Sequence, residues 1–295
     1  MKKTVFTGVA TALVTPMCDR GVDYDRFAKL IDWQIASGID ALVAAGTTGE
    51  CATLTDEEHR AVIRFCVEQT AGRVPVIAGT GSNDTAYAIE LSEYAAKVGA
   101  DALLLVTPYY NKATQKGMAA SFRAVAQATD LPCILYNVPG RTGCNLLPET
   151  AAELAQTENI VAIKEASGNI SQVAKAAALC KDNLDIYSGN DDQIVPILSL
   201  GGKGVISVLS NLLPRETVEL CRRWFAGDAA GAAELQLRYL PLIEALFCEV
   251  NPIPVKAAMA ALGYGENRLR LPLTPMEPQN ESRLLGEMRA CGLPV

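Results

Sequence analysis

Eight short apolar runs recur along the chain, at 8–14, 39–45, 74–78, 101–106, 132–136, 160–164, 185–187 and 204–208. They are near-continuous rather than alternating. That is the pattern of strands buried on both faces, as in a parallel sheet. The stretches between them carry helical spacing. Residues 23–37 place Phe27, Leu30, Ile31 and Ile35 on one face. Thr55 followed by Glu58 forms a capping box at the start of another helix. The helical pattern continues over 86–98 and 116–129, and Gly38 and Gly99 stand where helices stop. The runs begin about 28 residues apart on average, one strand–helix unit each. Eight such units predict a closed (β/α)8 TIM barrel. After the eighth run, helices are predicted at 215–226, 229–247, 254–262 and 278–291, with no strand-like alternation. The expected layout is a catalytic barrel over 1–225 and a C-terminal helical extension over 226–295 packed against it. No low-complexity linker divides the two.

Composition narrows the function. The chain has 295 residues, 49% of them hydrophobic and 20% charged, which suits a core-forming globular protein. Net charge is −7 and there is no Lys/Arg-rich run, so no nucleic-acid partner is expected. No apolar stretch is long enough to cross a membrane. Met1-Lys2-Lys3 and the apolar residues after it look faintly like a signal peptide, but threonines interrupt them, and the first barrel strand is the expected fate of this segment. The nine cysteines include no C-x-x-C pair, which argues for free thiols in a reducing cytoplasm. His59 is the only histidine, so a metal site built on several His ligands is excluded.

In such barrels chemistry sits at the C-terminal ends of the strands. After the second run comes Gly46-Thr47-Thr48-Gly49-Glu50, which suits a carboxylate, or is an ordinary turn. After the third, Gly79-Thr80-Gly81 begins a dinucleotide pattern that fails at Asp84. The fourth ends in Tyr109-Tyr110, of which at most one faces a given pocket. The fifth ends Tyr136-Asn137-Val138-Pro139-Gly140-Arg141-Thr142-Gly143. A tyrosine there can relay protons, and an arginine can fork onto a carboxylate. The sixth ends in Lys164, with Glu165 expected to point the other way. A lysine facing the barrel interior is costly unless paired or neutral, and desolvation makes its amine a nucleophile for carbonyls. A structural ion pair is the competing reading. The seventh and eighth runs lead to Ser188-Gly189-Asn190-Asp191-Asp192 and to Val205-Ile206-Ser207.

Taken together, Gly46-Thr47-Thr48-Gly49-Glu50, the 136–143 stretch and Lys164 resemble the dihydrodipicolinate synthases of the pyruvate-dependent class I aldolase superfamily. The resemblance covers nearly the whole chain. It implies that Lys164 forms an imine with pyruvate, whose enamine adds to L-aspartate-4-semialdehyde. It implies that Tyr136 moves protons, linked through Thr48 to Tyr110 of the partner subunit. Thr47 and Thr48 would hold the pyruvate carboxylate, and Arg141 that of the semialdehyde. Gly189 and Ile206 would line the pocket through backbone groups. No metal or organic cofactor is implied, and a homotetramer, a dimer of dimers, is. The family's lysine feedback site corresponds here to Cys51, Ala52, Asp56, His59, Asn83, Tyr87 and Tyr109. Asp56 replaces a histidine and Tyr87 a glutamate, so weak or absent lysine inhibition is expected. The nearest alternative is a lyase of the same superfamily acting on N-acetylneuraminate or a 2-keto-3-deoxy sugar acid. Thr47-Thr48 and Arg141 argue against it. A keto-acid sensor without turnover is a third reading. A metal-dependent class II aldolase needs ligands this chain lacks.

Overall fold

The structure, a computed structural model, describes residues 2–295. Ten strands occur among them: β1 (Gly8–Ala12), β2 (Met17–Cys18), β3 (Gly21–Val22), β4 (Ala41–Ala44), β5 (Val76–Gly79), β6 (Ala102–Val106), β7 (Cys133–Asn137), β8 (Ile160–Glu165), β9 (Asp185–Ser188) and β10 (Gly204–Ser207). All but β2 and β3 pair in parallel and close into a barrel in the order β1–β10–β9–β8–β7–β6–β5–β4. Each predicted apolar run holds one barrel strand. Every strand end falls within two residues of its predicted bound. The β2–β3 hairpin was not expected, because two-residue strands leave no periodic signal.

Side chains alternate across a strand, so each barrel strand feeds two cores. Ala10, Val43, Ile77, Leu104, Ile134, Ala162 and Ile206 belong to the inner cluster. Val9, Leu42, Leu103, Leu135, Ile163 and Val205 pack outward beneath the helices. The N-terminal end of the barrel is plugged. The Phe6 ring stacks on Tyr187 with centroids 4.2 Å apart, and the Tyr187 hydroxyl donates to the Phe6 carbonyl at 2.6 Å. Only the C-terminal end of the strands is left for a ligand.

Helix α1 (Tyr24–Ala36) is capped by the Asp23 carboxylate, and α2 (Asp56–Thr70) by the expected Thr55/Glu58 box. One residue of α1 departs from the amphipathic pattern. Gln34 is fully buried, accepting from Thr11 Oγ1 and donating to the carbonyls of Ser210 and Asn211. It ties α1 to the seam where β1 meets β10. Further round the barrel run α3 (Thr85–Lys97), α4 (Gln115–Gln127), α5 (Pro139–Thr142), α6 (Pro148–Leu154), α7 (Ile170–Cys180) and α8 (Ile194–Ser199). The chain ends in α9 (Pro214–Phe225), α10 (Ala229–Leu246), α11 (Ile253–Ala261) and α12 (Pro278–Ala290). Leu242, Leu246, Val255, Met259, Leu284 and Met288 of these helices share one apolar cluster with the outer face of the barrel. A buried ion pair between Lys256 of α11 and Glu50, in the loop after β4, ties the helical region to the open end. No helix among the described residues is long and apolar enough to cross a membrane.

Candidate active site

The alternation along β8 turns Ala162 and Lys164 inward and Ile163 and Glu165 outward. Glu165 is bound on the outer side by Asn137 Nδ2 and the Ser167 N–H. Lys164 is the register partner of Tyr136 on β7, and its Nζ lies 4.2 Å from the centroid of the Tyr136 ring. Lys164 is 5% exposed. Burial pulls its ammonium down from 10.5 to about 8, against the attraction of Asp191 and with help from the positive charge of Arg141. No carboxylate among the described residues comes within 4.0 Å of Nζ. The structural ion pair therefore does not form, and the amine is left available to a carbonyl.

Three neighbours shape this pocket. A Cβ on Gly189 would stand 3.0 Å from Lys164 Cε and 2.7 Å from the Ala166 Cβ, so glycine makes the room the lysine chain occupies. The Gly189 N–H is bonded to the Glu165 carbonyl at 2.8 Å and is not offered to a ligand. Ile206 is fully buried on the inner wall. Asp191 is buried too. Its Oδ2 accepts the N–H groups of Val208 and Leu209, each at 2.9 Å, while Oδ1 has no hydrogen-bond partner. Burial pushes its carboxyl up, and the charge of Lys164 draws it partly back.

The loop after β4 makes a tight turn over Thr47–Gly49. Successive residues of such a turn point about 120° apart. The half-buried Thr47 lies beside the Tyr136 hydroxyl, which burial pushes up and Arg141 and Thr47 pull back. The Thr48 Oγ1 instead accepts from Asn251 Nδ2 at 3.0 Å. The hydroxyl next to Tyr136 is thus Thr47, where the sequence reading put Thr48. Arg141, on α5, donates through Nη2 to the Asn251 carbonyl at 3.1 Å and otherwise reaches solvent. Tyr110 is 88% exposed at a loop tip with φ +71°, so within one chain it does not join the pocket.

Beside the turn, a cavity of about 430 Å³ is lined by Thr47, Cys51, Ala52, His59, Tyr87, Tyr109 and Arg141, among others. It brings two of the expected substrate contacts next to five of the seven expected regulatory residues. Asp56 and Asn83 are not in its wall. Asp56 accepts from Arg60 Nε at 2.8 Å and the Tyr87 hydroxyl at 2.9 Å, which hold its carboxyl below the usual range. The Asn83 carbonyl accepts from Asn111 Nδ2. His59 Nε2 sits 2.8 Å from the Gly79 carbonyl, which can only accept, so that nitrogen carries the proton. Among the described residues no group of three or more His, Cys, Asp or Glu side chains is arranged to hold a metal ion.

The sequence profile of the Dihydrodipicolinate synthetase family matches residues 5–290. The chain belongs to that family. It is 57% identical, over 98% of its length and 99% of the relative's, to the 4-hydroxy-tetrahydrodipicolinate synthase of Lachnoclostridium phytofermentans. Two solved structures superpose closely. The dihydrodipicolinate synthase of Cyanidioschyzon merolae, with lysine bound, is 45% identical with a TM-score of 0.96, covering 99% of this chain and 100% of that one. The chloride-inhibited enzyme of Acinetobacter baumannii, complexed with pyruvate, is 43% identical with a TM-score of 0.96 over the same shares.

Within this dihydrodipicolinate synthetase family barrel, the sequence pattern pointed to neither Asn251 nor the Lys256–Glu50 pair, and it gave Asp191 a place at a strand end but no role. The signal for Asp191 was an acid two residues after Gly189, which follows β9. Asn251 had none, since it reaches Thr48 from 203 positions away.

Proposed function

We propose that this enzyme condenses pyruvate with L-aspartate-4-semialdehyde through an imine on Lys164, giving 4-hydroxy-tetrahydrodipicolinate. The observation that carries the reading is the buried, unpaired Lys164 with its ammonium lowered to about 8. The neutral amine attacks the ketone carbon of pyruvate, and loss of water leaves a protonated imine. That cation draws electrons from the methyl group, a proton leaves, and an enamine forms. Its carbon adds to the aldehyde. The amino group of the semialdehyde then attacks the imine carbon, closes the ring and releases Lys164.

Tyr136 and Thr47 are suited to carry the protons, because their hydroxyls adjoin beside the lysine. Thr48 offers a hydroxyl to the pyruvate carboxylate. Arg141, on the solvent side, suits the carboxylate of the second substrate. An ionised Asp191 would favour positive charge on the Lys164 nitrogen, and so the cationic imine. The names of the relatives favour this reading over a lyase for N-acetylneuraminate or 2-keto-3-deoxy sugar acids.

Tyr110 supports self-association. A tyrosine in the left-handed region and almost fully exposed is strained without an evident local reason. Contact with the pocket of a second copy would supply one, and we assign the assembly as a dimer of dimers. The nine free thiols support a cytoplasmic location. The cavity beside the turn is the candidate lysine site, formed by Cys51, Ala52, His59, Tyr87 and Tyr109 with Asp56 and Asn83 behind. The nearby carboxylate, Asp56, is already committed to Arg60 and Tyr87, so a lysine ammonium finds no free partner there and inhibition is weak.

Borohydride reduction in the presence of pyruvate, followed by peptide mass spectrometry, tests the mechanism. A stable adduct on Lys164 is expected. Folded protein with Lys164 unmodified would overturn it and favour a keto-acid sensor.

A further inference from the structure

The segment between α10 and α11 sets one residue against both anion-binding groups of the site. Asn251 is 6% exposed. Its Nδ2 donates to Thr48 Oγ1 at 3.0 Å, and its carbonyl accepts from Arg141 Nη2 at 3.1 Å. Its Oδ1 is buried without a hydrogen-bond partner. A threonine hydroxyl has one proton to give and lone pairs to accept with. When an amide N–H occupies a lone pair, the proton must point elsewhere. Thr48 Oγ1 makes no other hydrogen bond among the described residues, so that proton is left for a ligand. Turned over, the amide would present Oδ1 instead and take the proton itself.

We infer that Asn251 is a positioning residue that fixes the direction of the Thr48 hydroxyl, so that Thr48 acts as a donor to the carboxylate of the keto-acid substrate. The same residue, through its carbonyl, steadies Arg141 at the mouth of the pocket. The inference rests on the proposed carboxylate site at Thr48. It makes the helical region part of the site, since the residue that aligns two barrel loops belongs to neither.

The test uses the intact enzyme and steady-state kinetics with pyruvate varied. Asn251→Ala removes the aligning donor and should raise the pyruvate KM roughly three- to tenfold, the effect of one ordinary hydrogen bond, with kcat at saturating pyruvate within about twofold of wild type. Asn251→Asp keeps the shape but only accepts. It should capture the Thr48 proton and raise the pyruvate KM further than alanine does. It also serves should alanine unfold the loop. In a Thr48→Val background the hydroxyl is gone, and Asn251→Ala should then change the pyruvate KM less than twofold. Equal effects of Asn251→Ala in both backgrounds, or a lowered melting temperature with an unchanged KM, would overturn the inference. Borohydride trapping on wild type separates the two levels. If no Lys164 adduct forms there, the reading of the reaction fails. If it forms and the kinetic coupling is absent, only the role of Asn251 fails.

Discussion

Replacing Lys164 by methionine should stabilise the ligand-free protein at neutral pH while abolishing activity. The side chain of Met is of similar length and apolar, and it enters a wall built from Ala162, Ile206 and the Tyr136 ring. What it removes is a buried charge. A lysine held at about 8 instead of 10.5 destabilises the folded state, at pH values below 8, by about 3 kcal/mol. The sign follows from proton binding. Between about 8 and 10.5 the unfolded chain holds a proton on this residue that the folded chain has released, so wild-type stability rises with pH across that window. Below 8 both states are protonated and the full cost is present. The advantage of Lys164→Met should therefore be largest at pH 7, amounting to roughly 5 °C in melting temperature for a chain of this size, and should shrink toward zero as pH approaches 10.5. Calorimetry or urea unfolding across pH 6.5–10, without pyruvate and at one protomer concentration, measures it. A variant less stable than wild type at pH 7, or an advantage independent of pH, would refute the claim that Lys164 is a desolvated, unpaired cation.

Four further outcomes follow from the same contacts. Because the neutral amine is the nucleophile, kcat/KM for pyruvate should fall about tenfold per pH unit below about 8 and level off above it; a pH–rate profile flat between 6 and 8 would contradict this. Lys256→Ala strands the buried Glu50 carboxylate and should cost about 3–5 kcal/mol in urea unfolding, whereas Lys256→Met combined with Glu50→Gln should recover more than half of it; equal losses would show that the pair's charge is not what matters. Tyr110→Phe should fold normally yet lose most activity, and mixed oligomers of Tyr110→Phe with Lys164→Ala subunits should regain part of it; mixing without recovery would argue against a site shared between subunits. Initial rates should be insensitive to micromolar L-lysine, and Tyr87→Glu should introduce inhibition by restoring a carboxylate at the cavity wall; strong inhibition of the wild type would overturn the view that Asp56 is unavailable.

What the sequence made legible, and what it hid, follow from the range over which each feature is determined. The strands were readable because each is buried on both faces, so its apolar character is a local property of four to six residues. Lys164 was readable for the same reason, as a charge where the run demands apolar residues. Strand alternation then placed it inside and Glu165 outside without knowledge of the rest of the chain. The choice between Thr47 and Thr48 was not local in that way. The two are neighbours of one type in a turn whose geometry is held from outside, by Lys256 on Glu50 and by Asn251 on Thr48. Both contacts come from residues about 200 positions away, in and just before α11. Asp56 makes the same point. It is the carboxylate nearest the position of the missing glutamate, but Arg60 one helical turn on and Tyr87 from α3 already occupy it. A candidate list drawn from strand ends therefore finds the reacting atom reliably and its hydrogen-bond partners poorly. The reacting atom is set by the strand that carries it, and the direction of each proton around it is set by the packing of distant elements.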